Sequence, residues 1–152
     1  MILKILNVAL VLIYAAGSGL WVSTGDSWYR SLTAPSWQPP DWVFGTIWPY
    51  NFIVLGIVGW QVISNLGNSW GKVWLSIFAV TIAFALTWAN LFYVKHNIGG
   101  ASIALSLVAF FTVPLLAIAF KTNYKYGLLL TPYQLWVTTA SFLSFSYYKL
   151  NK

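Results

Sequence analysis

The chain has 152 residues, of which 59% are hydrophobic and only 7% charged, with a net charge of +6 and a mean hydropathy of +0.73. In soluble domains about a quarter of the residues are charged. This composition therefore excludes a soluble domain and indicates an integral membrane protein. Cysteine is absent and histidine occurs once, which excludes disulfides and His/Cys metal clusters. The cations are scattered singly at the ends of apolar stretches, so nucleic acid is not an expected partner.

Five stretches contain no charged residue, and each is long enough for the roughly 20 apolar residues of a spanning helix. They predict an all-α, multi-pass bundle of five transmembrane helices in a single domain over residues 1–152, with helices at about 3–22, 42–66, 72–93, 98–120 and 126–150. Short loops predict antiparallel neighbours. Four cations fall on each side of such a bundle, so the positive-inside rule does not decide the orientation. Without a targeting segment, a bacterial cell membrane is the default expectation.

The first long loop is rich in aromatic residues and prolines and holds the chain's only two acids, Asp26 and Asp41. Proline fixes its own backbone angle and restricts the residue before it, so the loop is predicted to be stiff. Two interpretations remain open at this point. The loop is either a lid over an apolar cavity or a belt of Trp and Tyr at the depth of the lipid headgroups.

Ten tryptophans are distributed along the helices as well as the loop. Trp48, which precedes Pro49, and Trp136 are candidates for a pocket, and Pro49 is expected to kink or loosen its helix. An interfacial belt is predicted for Trp21, Trp60, Trp70 and Trp74. His96 is interpreted as a solvated turn residue rather than a haem ligand.

Ordinary catalysis has few candidate groups in this chain. Glutamate is absent, and neither aspartate lies within a predicted span. A carboxylate pair for acid–base chemistry or for a proton relay is therefore excluded, and no residue is assigned to conventional catalysis or to a metal.

Motifs in four parts of the chain resemble the signature of the TspO/MBR family, also called translocator proteins, tryptophan-rich sensory proteins or peripheral-type benzodiazepine receptors. The loop and second helix supply the order Trp28-Tyr29, Leu32, Pro35-Ser36-Trp37, Pro39-Pro40, Trp42-Val43, Gly45 and Trp48. Later segments supply Trp88, Phe92-Tyr93, Pro132-Tyr133, Trp136, Ala140 and Leu150-Asn151. The resemblance covers essentially the whole chain.

This resemblance implies a five-helix bundle, expected to form a homodimer, with a pocket closed by the first loop. It implies binding of porphyrins such as protoporphyrin IX or haem, and of sterol-like lipids or synthetic isoquinolines, with no required cofactor. The implied ligand-binding residues are Tyr29, Trp37, Pro39, Pro40, Trp48, Asn51, Trp88, Trp136, Ala140 and Ser144. The leading interpretation is a receptor or carrier for tetrapyrroles. The alternatives are light-dependent porphyrin degradation through Trp48 and Trp136, and a stress-response scaffold that acts through protein partners.

Several positions depart from the family pattern. The usual lysine before the first lid proline is Ala34, and the usual Pro-Pro after the third-helix Trp is Ala89-Asn90. Two usual pocket asparagines are Ala85 and Ser144. Because these changes remove amide partners for a ligand, Ser144 and Asn51 are expected to replace only part of the polar lining.

Two further patterns concern lipids and assembly. Leu143, Tyr147 and Lys149 fit a loose sterol-binding pattern, for which an interfacial helix end is the alternative. Ala79 and Ala83 form a small-xxx-small face on the third helix, a candidate dimer interface. Gly100 and Ala104 form a second such face, and packing within the bundle is the alternative for both.

Overall fold

The computed structural model describes residues 1–152 and contains helices and no strands. The elements are α1 (Ile2–Trp21), α2 (Ser27–Ser31), α3 (Asp41–Ala89), a π-helix (Asn90–Val94), α4 (Ile98–Thr122) and α5 (Tyr124–Leu150). Three stretches are long and apolar enough to cross a membrane by length and composition, namely Ile2–Trp21, Asp41–Val94 and Ile98–Thr122. The chain is therefore an all-helical membrane protein, as its composition predicts.

The second and third predicted helices are joined into α3, which bends at a single residue. Gly67 has φ 81° and ψ −175°, a backbone conformation that residues other than glycine rarely adopt. The connection between the helices predicted at about 42–66 and 72–93 is thus shorter than expected, because residues 68–71 are already helical. We call residues 41–66 the first arm of α3 and residues 68–89 the second arm.

Pro49 does not interrupt the helix of the first arm. Within α3 only Gly67 leaves helical dihedral angles. Pro49 lies in the third turn from the helix start, where the lost N–H bond affects one carbonyl and the remaining bonds keep the chain helical.

The first loop contains a short helix that the sequence pattern did not indicate. The Asp26 carboxylate caps α2 by accepting a hydrogen bond from the Tyr29 backbone N–H at 2.7 Å. This one-turn helix fixes the direction in which the side chains of Trp28 and Tyr29 project from the loop.

The second arm ends in the π-helix, whose wider turn is terminated by His96. His96 adopts φ 55°, and the Asn97 N–H then donates back to the Leu91 carbonyl at 2.8 Å. The His96 ring lies exposed and stacks on Trp28, with ring centroids 3.9 Å apart. The histidine is a turn residue, as predicted, and it also helps to hold α2.

The core lies around α3, which packs against α1, α4 and α5. At the end away from the first loop, which we call the packed half, Asn7, Val58, Trp74 and Phe78 are completely buried, and the side chains of Asn7 and Trp74 lie directly against Gly59. Trp74 is 0% exposed and its indole N–H donates to Asn7 Oδ1 at 2.9 Å. Its assignment to an interfacial belt was therefore wrong, because a buried polar partner satisfies its N–H.

Trp21, Trp60 and Trp70 are exposed, in agreement with a belt. Lys4 lies over the Trp60 ring at 4.8 Å and Lys121 over the Trp70 ring at 4.9 Å.

An aromatic cavity beneath the first loop

The end of the bundle next to the first loop encloses a cavity of about 330 Å³. Sixteen residues line it, half of them aromatic. The lining consists of Val22, Thr24, Tyr29, Asp41, Phe44, Gly45, Trp48, Trp88, Phe92, Tyr93, Leu105, Trp136, Ala140, Leu143, Ser144 and Tyr147. An apolar concavity with a few polar groups is the usual form of a small-molecule site.

The inner part of the cavity is formed by the two predicted indoles. Trp48 comes from the first arm of α3 and stacks on Phe52, with centroids 5.8 Å apart. Trp136 comes from α5 and meets Phe44 edge-on at 5.1 Å. Each indole is therefore held by its own phenylalanine, and the two contribute to the lining from different helices.

The part nearest the loop is a cluster of tyrosines. The Tyr29 ring lies 5.8 Å from Tyr93 and 6.2 Å from Tyr147, and the Trp88 ring meets Tyr93 edge-on at 6.0 Å. The π-helix helps to place these rings, because its wider turn brings residues five apart, such as Trp88 and Tyr93, closer to one face. The cavity wall therefore depends on a local departure from α-helical geometry.

The loop covers the cavity and is fastened to the end of α5. The Asn151 side chain accepts from the Thr33 N–H at 2.8 Å and donates to the Thr33 carbonyl at 3.0 Å. The Tyr147 hydroxyl donates to Gln38 and lies 3.4 Å from the Tyr29 hydroxyl. These contacts give the loop the position of a lid, one of the two interpretations left open by the sequence.

Six of the predicted ligand-binding residues meet at this cavity. They are Tyr29, Trp48, Trp88, Trp136, Ala140 and Ser144. Ser144 also exchanges a hydrogen bond with Ser102 on α4, with the two oxygens 3.0 Å apart. Its hydroxyl therefore joins α4 to α5 as well as contributing to the polar lining.

Three predicted lid residues lie outside the lining. Trp37 is exposed and faces an outer groove that also includes Lys149. Pro39 and Pro40 lead directly into α3, with Pro40 as its N-cap. In this conformation they shape the lid and do not contact the cavity.

Asn51 is also separate from the lining, although it is completely buried. Neither its amide nitrogen nor its amide oxygen has a hydrogen-bond partner. Ala85, at the position of a usual pocket asparagine, is buried in the core and is likewise not part of the cavity wall.

The sterol pattern does not come together as one site. Leu143 and Tyr147 line the cavity, whereas the exposed Lys149 belongs to the outer groove. Residues 143 and 147 are one turn apart on α5, but residue 149 projects from another side of the helix.

The candidate dimer residues differ in accessibility. Ala79 and Ala83 are exposed on the second arm, whereas Ala104 is buried and Gly100 half-buried. Only the alanine pair therefore presents a free small-residue face.

Sequence reasoning missed several lining residues. Phe44 is one helical turn before Trp48, so helical periodicity could have indicated it. Asp41 could have been considered because it is one of only two acidic residues in the chain. Tyr93 belongs to a motif of the resemblance, but its place in the cavity wall depends on the π-helix.

Fold and cavity together define a helical membrane protein with an aromatic cavity under a proline-rich lid. Comparison with known proteins specifies the group: the profile of the TspO/MBR family matches residues 7–149, and the chain belongs to this family. The sequence resemblance is thereby confirmed.

Curated relatives are similar over nearly the same length. "Tryptophan-rich protein TspO" of Chlorobaculum tepidum is 34% identical, covering 90% of this chain and 87% of the relative. "Protein CrtK" of Rhodobacter capsulatus is 33% identical, covering 90% and 86%. The human "Translocator protein" is 28% identical, covering 89% and 81%.

Proposed function

We propose that this protein is a membrane receptor or carrier for porphyrins, including protoporphyrin IX and haem-type tetrapyrroles, which it binds in the cavity under the lid. In this proposal α1, the two arms of α3, α4 and α5 form five membrane crossings. The observation that carries it is the aromatic cavity to which Trp48 and Trp136 contribute from two helices. Broad indole faces suit the stacking of a flat apolar macrocycle.

The size of the cavity gives the lid a role in binding. At about 330 Å³ it is at the small end of pockets for drug-sized ligands, roughly 300–1,000 Å³. A macrocycle therefore requires the lid to move outward. The hydrogen bonds from Asn151 to Thr33 and from Tyr147 to Gln38 would break in this movement. Trp28, Tyr29 and Leu32, which pack against the buried cluster around Phe92, would also shift.

The test is titration of the detergent-purified protein with protoporphyrin IX in the dark. Binding is detected by the change in porphyrin absorbance. A double variant, Trp48→Ala with Trp136→Ala, removes two stacking contacts. At about 0.5–1.5 kcal/mol each, we expect a loss of roughly fivefold to a hundredfold in affinity. Trp60→Ala, an exposed indole at the opposite end, is the matched control. Unchanged affinity in the double variant would refute the assignment of this cavity.

A light-dependent degradation of bound porphyrin is the second candidate, because the same indoles would lie against the ligand as electron donors. It predicts that the porphyrin absorption band bleaches under light and oxygen, and that Trp48→Phe or Trp136→Phe slows bleaching without abolishing binding. Equal bleaching in both variants and in the wild type would rule out this role.

The exposed face of Ala79 and Ala83 is proposed as the homodimer interface, since small residues permit close helix approach. Ala83→Leu is expected to shift the detergent-solubilised protein toward monomer in light scattering. Ala117→Leu, at an exposed alanine on α4, is the control.

A further inference from the structure

Two buried hydrogen-bond donors in the cavity lining have no partner in the protein. They are the indole N–H groups of Trp88 and Trp136, which come from the second arm of α3 and from α5. The other unpaired buried side-chain groups, on Asn51 and Gln134, lie outside the lining. A buried donor without a partner costs free energy, so two of them in one cavity wall indicate a ligand that accepts hydrogen bonds there.

Other polar side chains of the lining are already engaged within the protein. The Ser144 hydroxyl shares a hydrogen bond with Ser102, and the Tyr147 hydroxyl donates to Gln38. The two indoles therefore remain as buried groups of the lining that still have a hydrogen bond to make. An indole N–H can donate and cannot accept, so the complementary ligand atom is an acceptor.

Asp41, the one acidic residue of the lining, does not make the cavity hostile to such an acceptor. It is exposed in the first turn of α3, where solvent and salt screen its charge over about 8–10 Å. The positive end of the helix dipole at the same N-terminus offsets part of this charge. Arg30 on the lid helix and Lys149 beside the outer groove add two cations at this end of the bundle.

The geometry points to a hydrogen-bonding subsite in the cavity, formed by the indole N–H groups of Trp88 and Trp136, that takes a carboxyl group of the ligand. A carboxyl group has two oxygens and can accept from two helices at once. An indole N–H lies in the plane of its ring, so it donates at the ring edge and leaves the ring face free to stack. This subsite rests on the proposed function and adds an orientation to it, in which the propionate edge of the porphyrin lies against these two indoles.

Both N–H groups are covered in the closed conformation. Trp88 lies against Tyr93, whose ring also contacts Tyr29 on the lid, and Trp136 lies against Phe44. The outward movement of the lid that a macrocycle requires takes Tyr29 away from Tyr93 and lets that ring shift. Lid movement and access to the donors are therefore parts of the same event.

Three porphyrins with related macrocycles test the subsite. Protoporphyrin IX carries two propionates, its dimethyl ester keeps the carbonyl acceptors without the charge, and etioporphyrin I carries alkyl groups only. Binding to the detergent-purified full-length protein is measured in the dark by porphyrin absorbance. The affinity of each variant is divided by that of the wild type for the same porphyrin, so that partition of the porphyrin into detergent cancels.

Trp88→Phe and Trp136→Phe keep an aromatic face and remove the N–H. Each is expected to reduce the affinity for protoporphyrin IX roughly tenfold more than the affinity for etioporphyrin I. The ester should show a smaller excess loss of about threefold, because a hydrogen bond to a charged acceptor is stronger. Retained binding of etioporphyrin I shows that the variant is folded. Trp60→Phe, the same substitution at an exposed indole, is the control and should change no ratio.

The outcomes separate this subsite from the proposed function. Equal losses for protoporphyrin IX and etioporphyrin I would overturn the subsite and leave the proposed function standing, because porphyrins would still bind. If no porphyrin binds saturably, the proposed function fails, and methyl 2-naphthoate is then compared with 2-sec-butylnaphthalene, a hydrocarbon of the same shape without the acceptor. A preference for methyl 2-naphthoate that Trp88→Phe abolishes would support the subsite alone, and no such preference would overturn both proposals.

Discussion

Two buried asparagines show how differently the two halves of this bundle are built. In the packed half, Asn7 donates to the Gly56 carbonyl at 3.1 Å and accepts from the Trp74 indole at 2.9 Å. Asn51, one turn along the first arm from Trp48, is equally buried and has no partner for either amide atom. Polar side chains in an apolar bundle are stabilising only where a partner is already positioned.

The same contrast holds for the tryptophans. Trp74 fills the packed half and leaves no space around Gly59. In contrast, Trp48 packs against Phe52 and Trp136 against Phe44, and a cavity remains beside the two indoles. One half is closely packed, and the other contains the cavity. Substitutions in the two halves should therefore change the stability of the protein by different amounts.

The largest effect is expected for Gly59→Ala. A Cβ at this position would lie 2.1 Å from Asn7 Oδ1 and 2.6 Å from the Trp74 indole nitrogen, so both side chains must shift. We expect a loss of roughly 3 kcal/mol from overpacking and from the broken hydrogen bond. Thermal unfolding in detergent measures it, and Gly56→Ala, where no atom lies within 4 Å, is the control. Similar melting of both variants would contradict tight packing.

Asn7→Leu should have the next largest effect. The substitution leaves the buried Trp74 N–H without its acceptor, at a cost of about 1–2 kcal/mol. Chemical denaturation of the purified protein would detect this loss. A double-mutant cycle with Trp74→Phe isolates the coupling between the two side chains, and a coupling energy near zero would show that the hydrogen bond is not the cause.

Asn51→Leu is expected to act in the opposite direction. Replacing an unpaired buried amide with an apolar side chain of similar size should raise stability by about 1 kcal/mol. The same denaturation experiment applies, with Asn7→Leu as its counterpart. A decrease in stability would mean that Asn51 has a partner in the membrane.

The smallest effect is expected for Asn151→Ala, which removes the paired hydrogen bonds to Thr33. The lid should open more often. The free energy of local opening at the Thr33 amide should fall by about 1 kcal/mol, and the free energy of global unfolding should remain almost unchanged. Hydrogen exchange of the Thr33 amide measures this, and Asn68→Ala, at an exposed helical position at the other end of the bundle, is the control. Unchanged exchange at Thr33 would show that other contacts hold the lid.

Much of the site could be anticipated, and the failures have identifiable reasons. Trp48, Trp88 and Trp136 are found at the cavity because large aromatic residues near prolines and motif positions are conspicuous in a sequence. Trp74 was assigned wrongly because its burial depends on Asn7, which is 67 positions away in the chain. Tyr93 was missed because its direction depends on the π-helix.

The amino-acid sequence by itself determined the class of protein. Long charge-free stretches must be helical in an apolar solvent, since every backbone group must find a partner within its own segment. The tertiary structure alone decided which aromatic side chains close on each other and which leave space. That choice depends on distant contacts, such as Asn7 with Trp74 and Asn151 with Thr33, which no local pattern encodes.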